Sequence, residues 1–257
     1  MERTGTFSCS HDLLNKFHQN VVWAMRGNFV DVPTDCPQRD ERLGWTGDAQ
    51  VFAPSASFLY NVDGFFADWL EDLIAVQSAD GKVPIVIPNE PLDGPQQIPY
   101  ATGWSDCAAT IPWTLYERFG DVDRLARQFD SMKRWVDFLV QRTSPSLIWN
   151  NNFQFGDWLD PDAPPEQAWK AKTDPTLVAT AYFAKSAQIV SDTAGVLGLD
   201  EFAADYAHIA QRVRTAFRNE YMTPNGRLTS DAATAYSLAI MLICLKMTTN
   251  AFTVVNV

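Results

Sequence analysis

The feature that most constrains the fold is a rhythm of helix, short turn, helix and longer loop, which recurs about four times along the chain. Apolar residues follow helical spacing in almost every segment, as in the first, where Leu13, Phe17 and Val21 come after a Ser10 cap. Signals typical of strands are confined to loops, such as VPIVIP at 83–88. Toroids of α-helical hairpins are built in this way and gather their functional residues in the longer loops at one rim. The rhythm therefore predicts an all-α fold made of helical hairpins.

Eight segments carry the helical pattern, and two of them contain residues that should shape the helix. Pro54 is expected to bend the second helix, and the Asp80-Gly81 turn is expected to close the third. The predicted helices cover about residues 10–27, 47–60, 64–81, 107–118, 121–142, 174–197, 199–220 and 231–246.

The composition indicates one large domain and a neutral or cationic partner. With 257 residues, of which 46% are hydrophobic, the chain can bury a sizeable core, and we expect residues 1–257 to form a single domain. The net charge of −11 gives no electrostatic reason to bind nucleic acid or an anionic membrane surface. The many aromatic side chains can pack on the C–H faces of sugars as well as on each other.

The four cysteines suggest neither a metal site nor a disulfide framework. Cys9, Cys36, Cys107 and Cys244 lie far apart and form no C-x-x-C pair, so we expect buried or free thiols and no metal ion or other cofactor. The first residues, MERTGTFSCS, lack the apolar stretch of a signal peptide, and no run of about 18 apolar residues predicts a membrane span. The compartment, cytoplasmic or secreted, and the oligomeric state are left open.

A dense charged segment, DCPQRDERLGWTGD at 35–48, is the strongest candidate for a functional site. It holds four carboxylates and two guanidiniums together with a rigid Cys36-Pro37 turn, two glycines and Trp45. One interpretation is a solvated loop held by ion pairs. Charge, rigidity and an aromatic ring together favour a pocket for a polyol instead, because carboxylates bind hydroxyl groups and rings pack on sugar faces. In such pockets a carboxyl beside an apolar ring, as Glu41 would be beside Trp45, can protonate a departing glycosidic oxygen.

The longer segment DVPTDCPQRDERLGWTGDAQ at 31–50 resembles the signature of glycoside hydrolase family 78, the bacterial and fungal α-L-rhamnosidases. Two further stretches agree: TGWSDCA at 102–108 resembles the family's Trp-x-Asp-Ala element, and FGDWLDP at 155–161 resembles its Gly-Asp-Trp-Leu element. The similarity extends through SDAATAYSLAI at 230–240 and so covers nearly the whole chain. It implies an (α/α)6 six-hairpin catalytic domain, a hydrolase whose carbohydrate substrates are α-L-rhamnosides.

The resemblance also implies roles for individual residues. Glu41 falls at the position of the family's general acid. Positions that bind rhamnose hydroxyls are occupied by Asp35, Arg39 and Asp48. The remaining candidates for substrate binding are the ring walls Trp45, Trp104 and Trp158 and the adjoining carboxylates Asp106 and Asp157.

The family's mechanism is inverting, and it needs a second carboxylate roughly 6.5–9.5 Å from the acid to activate water on the opposite face of the sugar. In the family this general base is a glutamate in a late loop, and the sequence contains no matching Trp-Glu motif. The final hairpins and the flanking β-sandwich domains also have no match, so we expect a toroid that is incomplete toward the C-terminus. Two alternatives stay open: a catalytically incompetent fragment or rhamnose-binding remnant that lacks the base, and another six-hairpin glycosidase, such as one acting on glucuronyl sugars.

Overall fold

The computed structural model describes residues 1–40, 42–89, 100–150 and 152–243, which form helices joined by loops. Eight α-helices lie in these ranges, one for each predicted segment, so the predicted helices are confirmed. The last of them continues directly into a π-helical turn at Ala239–Ile243. The helices are α1 (Asp12–Asn28), α2 (Thr46–Leu59), α3 (Asp63–Val76), α4 (Cys107–Phe119), α5 (Val122–Thr143), α6 (Pro175–Val196), α7 (Asp200–Tyr221) and α8 (Ala233–Leu238).

Short turns join the helices into hairpins, and local sequence explains where the helices stop and start. α4 ends at Gly120, whose positive φ of 73° is a left-handed conformation that glycine adopts without strain. The next residue, Asp121, caps α5 by accepting a hydrogen bond of 2.8 Å from the backbone N–H of Arg124. Asp174 caps α6 in the same way, and Pro175 occupies the start of that helix.

The strand-like stretch at 83–88 forms no strand. Val86 makes an isolated antiparallel bridge with Trp45, and the pairing goes no further because α2 begins at Thr46. The carbonyl of Ile85 instead accepts two hydrogen bonds from Thr46, one from the backbone N–H at 2.9 Å and one from the hydroxyl at 3.0 Å. The stretch therefore accepts hydrogen bonds from the first residue of a helix and does not pair with a neighbouring strand.

The helices form two layers. α2 packs against α4, α4 against α6 and α6 against α8, while α3, α5 and α7 pack against this row. Large side chains such as Trp69, Trp135 and Phe183 are completely buried in the core. This alternation confirms the predicted all-α fold of helical hairpins. None of the described helices is both long and apolar enough to cross a membrane.

Three of the four cysteines and Pro54 lie in the described residues. Cys9, Cys36 and Cys107 are free thiols, as predicted, and Cys244 lies outside the described residues. α2 continues through Pro54 without interruption.

Candidate active site

A cavity of about 590 Å³ opens where the first turns of α2 and α6 meet the loops that precede α4 and α6. Three carboxylates line it, those of Asp35, Asp48 and Asp157, whereas no Lys, Arg or His is among the described lining residues. The N-terminal ends of α2 and α6 lie here, and their dipoles offset part of this negative charge. The apolar and aromatic part of the lining includes Met25, Phe29, Phe52, Trp104, Trp158 and Tyr182.

The charged loop closes on itself around Asp35. The backbone N–H of Asp35 donates to the carbonyl of Leu43 at 3.1 Å, and its Oδ1 accepts from the N–H of Leu43 at 3.2 Å. Its Oδ2 accepts from the Cys36 thiol at 3.0 Å and lies 3.5 Å from the Arg39 guanidinium. Arg39 Nε also donates to the Cys36 sulfur at 3.1 Å. These contacts hold a carboxylate that is only 9% exposed beside a guanidinium that is 63% exposed.

Both glycines of the charged segment stand where a side chain would collide with a neighbour. A Cβ on Gly44 would lie 2.0 Å from the carbonyl oxygen of Ile87, and one on Gly47 would lie 2.5 Å from Nε1 of Trp104. Close approach therefore explains both glycines. Because Gly47 is in the first turn of α2, the Trp104 ring lies directly on that turn, and the adjacent Asp48 lines the cavity.

Two of the rings that line the cavity belong to an aromatic cluster with Phe155 at its centre. The ring centroid of Phe155 lies 4.4 Å from that of Trp104, 5.4 Å from Trp158 and 6.1 Å from Trp45. Trp104 and Trp158 line the cavity, whereas Trp45 is half-buried against Phe155 and is not part of the lining. Sequence reasoning missed Phe155, although it is the first residue of FGDWLDP and could have been found there.

The loop before α6 brings Asp157 to the cavity. Asp157 Oδ2 accepts a hydrogen bond of 3.2 Å from the Thr173 hydroxyl. Gln154 accepts from the N–H of Gly156 at 3.1 Å and donates to the carbonyl of Thr102 at 3.0 Å. The side chain of Gln154 thus ties this loop to the loop before α4.

Asp106 lies away from the cavity. It is completely buried, and its oxygens accept hydrogen bonds from the Gly103 N–H at 2.6 Å, from Trp135 Nε1 at 3.2 Å and from the Ser186 hydroxyl. The pKa of Asp106 is raised above its ordinary value, because the effect of burial exceeds the opposing effect of these hydrogen bonds and of the charge of Lys185. The expectation that Asp106 contacts the sugar does not fit this placement, because the carboxylate is completely buried and Asp106 is not among the residues that line the cavity.

The structure thus brings most of the predicted residues together. Glu41 lies outside the described residues. Arg39 contacts the lining residue Asp35, and Trp45 packs against Phe155. Sequence reasoning also missed Tyr182, which lines the cavity one turn after Val178 on α6 and belongs to none of the three motifs. The predicted residues that line the cavity are Asp35, Asp48, Trp104, Asp157 and Trp158.

This arrangement suits a ligand that is neutral and rich in hydroxyl groups. Carboxylates accept hydrogen bonds from hydroxyls, and the Trp104 and Trp158 rings offer faces for C–H groups. Within the described residues, no group of three or more His, Cys, Asp or Glu side chains is arranged to hold a metal ion.

Comparison with known proteins decides the family. The family model described as the bacterial α-L-rhamnosidase six-hairpin glycosidase domain matches residues 2–253. The chain belongs to this family. The α-L-rhamnosidase resemblance and the six-hairpin fold class are therefore confirmed.

Individual rhamnosidases agree with this assignment. An α-L-rhamnosidase of Formosa agariphila is 42% identical over 238 residues, which make up 93% of this chain and 25% of that protein. The crystal structure of the native Aspergillus terreus α-L-rhamnosidase superposes with a TM-score of 0.87 at 39% identity, over 93% of this chain and 28% of that one. The Streptomyces avermitilis α-L-rhamnosidase in complex with L-rhamnose gives a TM-score of 0.82 at 36% identity, over 93% and 22%. The chain thus spans about a quarter of the length of the rhamnosidases that it matches.

Proposed function

We propose that this chain is part of the catalytic domain of a glycoside hydrolase that releases terminal α-L-rhamnose, and that it supplies the acid-bearing half of the active site. The observation that carries the proposal is the cavity itself, whose lining in the described ranges combines three aspartates with aromatic rings and includes no Lys, Arg or His. Support also comes from the solved Streptomyces avermitilis relative, which was crystallised with L-rhamnose. All residues 1–257 are assigned to this one domain.

Sugar binding is assigned to the residues of the charged loop and the rings. Asp35, Arg39 and Asp48 would hold hydroxyl groups by charged hydrogen bonds, and Trp104 and Trp158 would pack on the C–H faces. Asp157 is a further candidate to hold a hydroxyl, and Trp45, which does not line the cavity, would support the lining rings through its contact with Phe155.

The general acid is assigned to Glu41 on the sequence resemblance. In the sequence Glu41 lies between Asp35 and Leu43, two residues that pair through hydrogen bonds. Its carboxyl would donate a proton to the departing glycosidic oxygen while water attacks the anomeric carbon from the opposite face with inversion. The family's general base has no match in these 257 residues, so we assign that role to none of them.

Two other functions are weighed against this one. A rhamnose-binding remnant without turnover would use the same binding residues, and an activity assay beside a binding measurement separates it from an enzyme. An enzyme for glucuronyl sugars is disfavoured, because the carboxylate of such a sugar would face Asp35, Asp48 and Asp157, and the guanidinium of Arg39 is paired with Asp35.

The assignment of Glu41 can be tested by Glu41→Gln in the full-length protein. A proton donor matters most for a poor leaving group, so we expect hydrolysis of a rhamnosyl disaccharide to fall about 10²–10⁴-fold and hydrolysis of 4-nitrophenyl α-L-rhamnoside to fall less. Asp31→Asn, an exposed change just before the charged loop, is the control and should keep both rates. Equal losses for the two substrates, or full activity, would remove Glu41 from the role of acid.

A further inference from the structure

The loop from Ala101 to Asp106 carries Trp104 to the cavity and is otherwise buried. Buried backbone groups need hydrogen-bond partners, and this loop finds several of them on distant segments. The Ser105 hydroxyl donates to the carbonyl of Val83 at 2.7 Å, and the carbonyl of Thr102 accepts from a glutamine of the loop before α6. The position of the Trp104 ring is therefore set by residues far from it in sequence.

Gly103 is the point where the loop is held from two sides. Its N–H donates to Asp106 Oδ2 at 2.6 Å, and its carbonyl accepts a hydrogen bond from the side chain of Gln50 on α2. Gln50 is itself held by the Thr110 hydroxyl, which donates to its Oε1 at 2.8 Å. Gly103 has a φ of 86°, which favours glycine, and the orientation of its peptide sets the direction in which Trp104 leaves the chain.

Asp106 connects this loop to the core. Its Oδ1 accepts from Trp135 Nε1 on α5 at 3.2 Å and from the Ser186 hydroxyl on α6, while its Oδ2 accepts from Gly103. A carboxylate without access to water is tolerated only when such donors surround it. The Asp106 side chain therefore links α5 and α6 to the backbone N–H of Gly103.

We propose that Asp106 is a positioning residue for sugar binding, which fixes the Gly103 peptide and thereby aims the Trp104 ring into the cavity without touching the ligand. This inference rests on the proposed function, because it takes Trp104 to receive a sugar. It separates Asp106 from Asp35, Asp48 and Asp157, whose carboxylates line the cavity.

The test compares Asp106→Asn with Ser186→Ala. When the amide oxygen of the asparagine keeps the hydrogen bonds from Trp135 and Ser186, its NH₂ group faces the Gly103 N–H, donor against donor. Ser186→Ala removes a donor from the core-facing oxygen and leaves the contact with Gly103 in place. Both variants disturb the same buried network, so Ser186→Ala controls for a general loss of stability.

The first readout needs no ligand. The indole N–H resonance of Trp104 is followed in ¹⁵N-labelled protein and assigned by comparison with Trp104→Phe. We expect it to shift or broaden in Asp106→Asn and to stay in place in Ser186→Ala. An unmoved resonance in Asp106→Asn, or the same change in both variants, would overturn the positioning role.

The second readout is the affinity for L-rhamnose, measured by calorimetry. We expect an affinity about tenfold lower in Asp106→Asn and a change of less than about twofold in Ser186→Ala. Equal affinity losses in the two variants would also count against the proposal. Absence of rhamnose binding by the wild-type chain would overturn the proposed function. The Trp104 resonance tests the positioning role without any ligand, so the two failures are distinguishable.

A second variant covers the case in which Asp106→Asn does not fold. Gln50→Met removes the donor to the Gly103 carbonyl and keeps a side chain of similar length. If the Gly103 peptide aims the ring, the Trp104 resonance moves in this variant as well. A Trp104 signal identical to that of the wild type would show that Gly103 does not control the ring and would overturn the proposal.

Discussion

The charged loop from Asp35 to Leu43 and the Trp104 loop from Ala101 to Asp106 both reach the cavity, yet they are held in opposite ways. The charged loop is closed by its own residues, since Asp35 pairs with Leu43 across the loop, and its Arg39 side chain is 63% exposed. The Trp104 loop is buried and is fastened by side chains from other elements.

This difference explains how a single cavity can combine charge with a fixed aromatic wall. The guanidinium of the charged loop remains near water, so its desolvation is small, and it lies 3.5 Å from the buried carboxylate of Asp35. A ring that must present one face to a ligand needs several anchors, and α2, α5 and α6 each provide one to the Trp104 loop or its Asp106. The Trp104 loop should therefore respond strongly to steric change, and the charged loop should respond weakly to the loss of one contact.

Gly47→Ala is the change with the largest expected effect. The added methyl group would lie 2.5 Å from Nε1 of Trp104, and the anchored loop gives the ring little freedom to move away. Overpacking of this kind costs about 1–3 kcal/mol. Because a displaced Trp104 ring must return to its place to receive the sugar, we expect about a fivefold to hundredfold loss of rhamnose affinity by calorimetry. Gly64→Ala is the matched control, because a Cβ there meets nothing within 4 Å, and its affinity should equal that of the wild type. A Gly47→Ala chain that binds normally would show that the Trp104 loop is pliable and would remove the contrast between the two loops.

Changes at Cys36 should have a smaller effect, confined to the charged loop. The thiol donates to Asp35 and accepts from Arg39, and serine retains both capacities while alanine retains neither. We expect rhamnose affinity to fall about threefold to tenfold in Cys36→Ala and less in Cys36→Ser, in line with one modest hydrogen bond. Cys9→Ala, whose thiol contacts only the carbonyl of His11 among the hydrogen bonds of the described residues, is the control and should bind normally. Equal affinities for the alanine and serine variants would mean that the thiol does not hold Asp35 and Arg39 together.

The helices and the location of the site were predictable because their signals are local. Apolar spacing predicted all eight helices, and the charged segment and the two Trp motifs identified five residues of the cavity lining. The burial of the Asp106 side chain in the core was not predictable, since its partners Trp135 and Ser186 lie 29 and 80 residues further along the chain. Residues 83–88 form no strand for a similar reason, because their pairing stops where α2 begins, about 40 residues away in the sequence.

The most direct test of the central claim is a calorimetric titration of L-rhamnose into the wild-type chain, Asp35→Asn and Asp31→Asn. Asp35→Asn keeps an oxygen for the N–H of Leu43 but removes the charge that pairs with Arg39 and would hold a sugar hydroxyl. We predict saturable binding to the wild type and to Asp31→Asn, and an affinity about tenfold lower for Asp35→Asn, as expected for the loss of a charged hydrogen bond. No saturable heat with the wild type, or equal binding by Asp35→Asn, would contradict the claim that this cavity binds rhamnose.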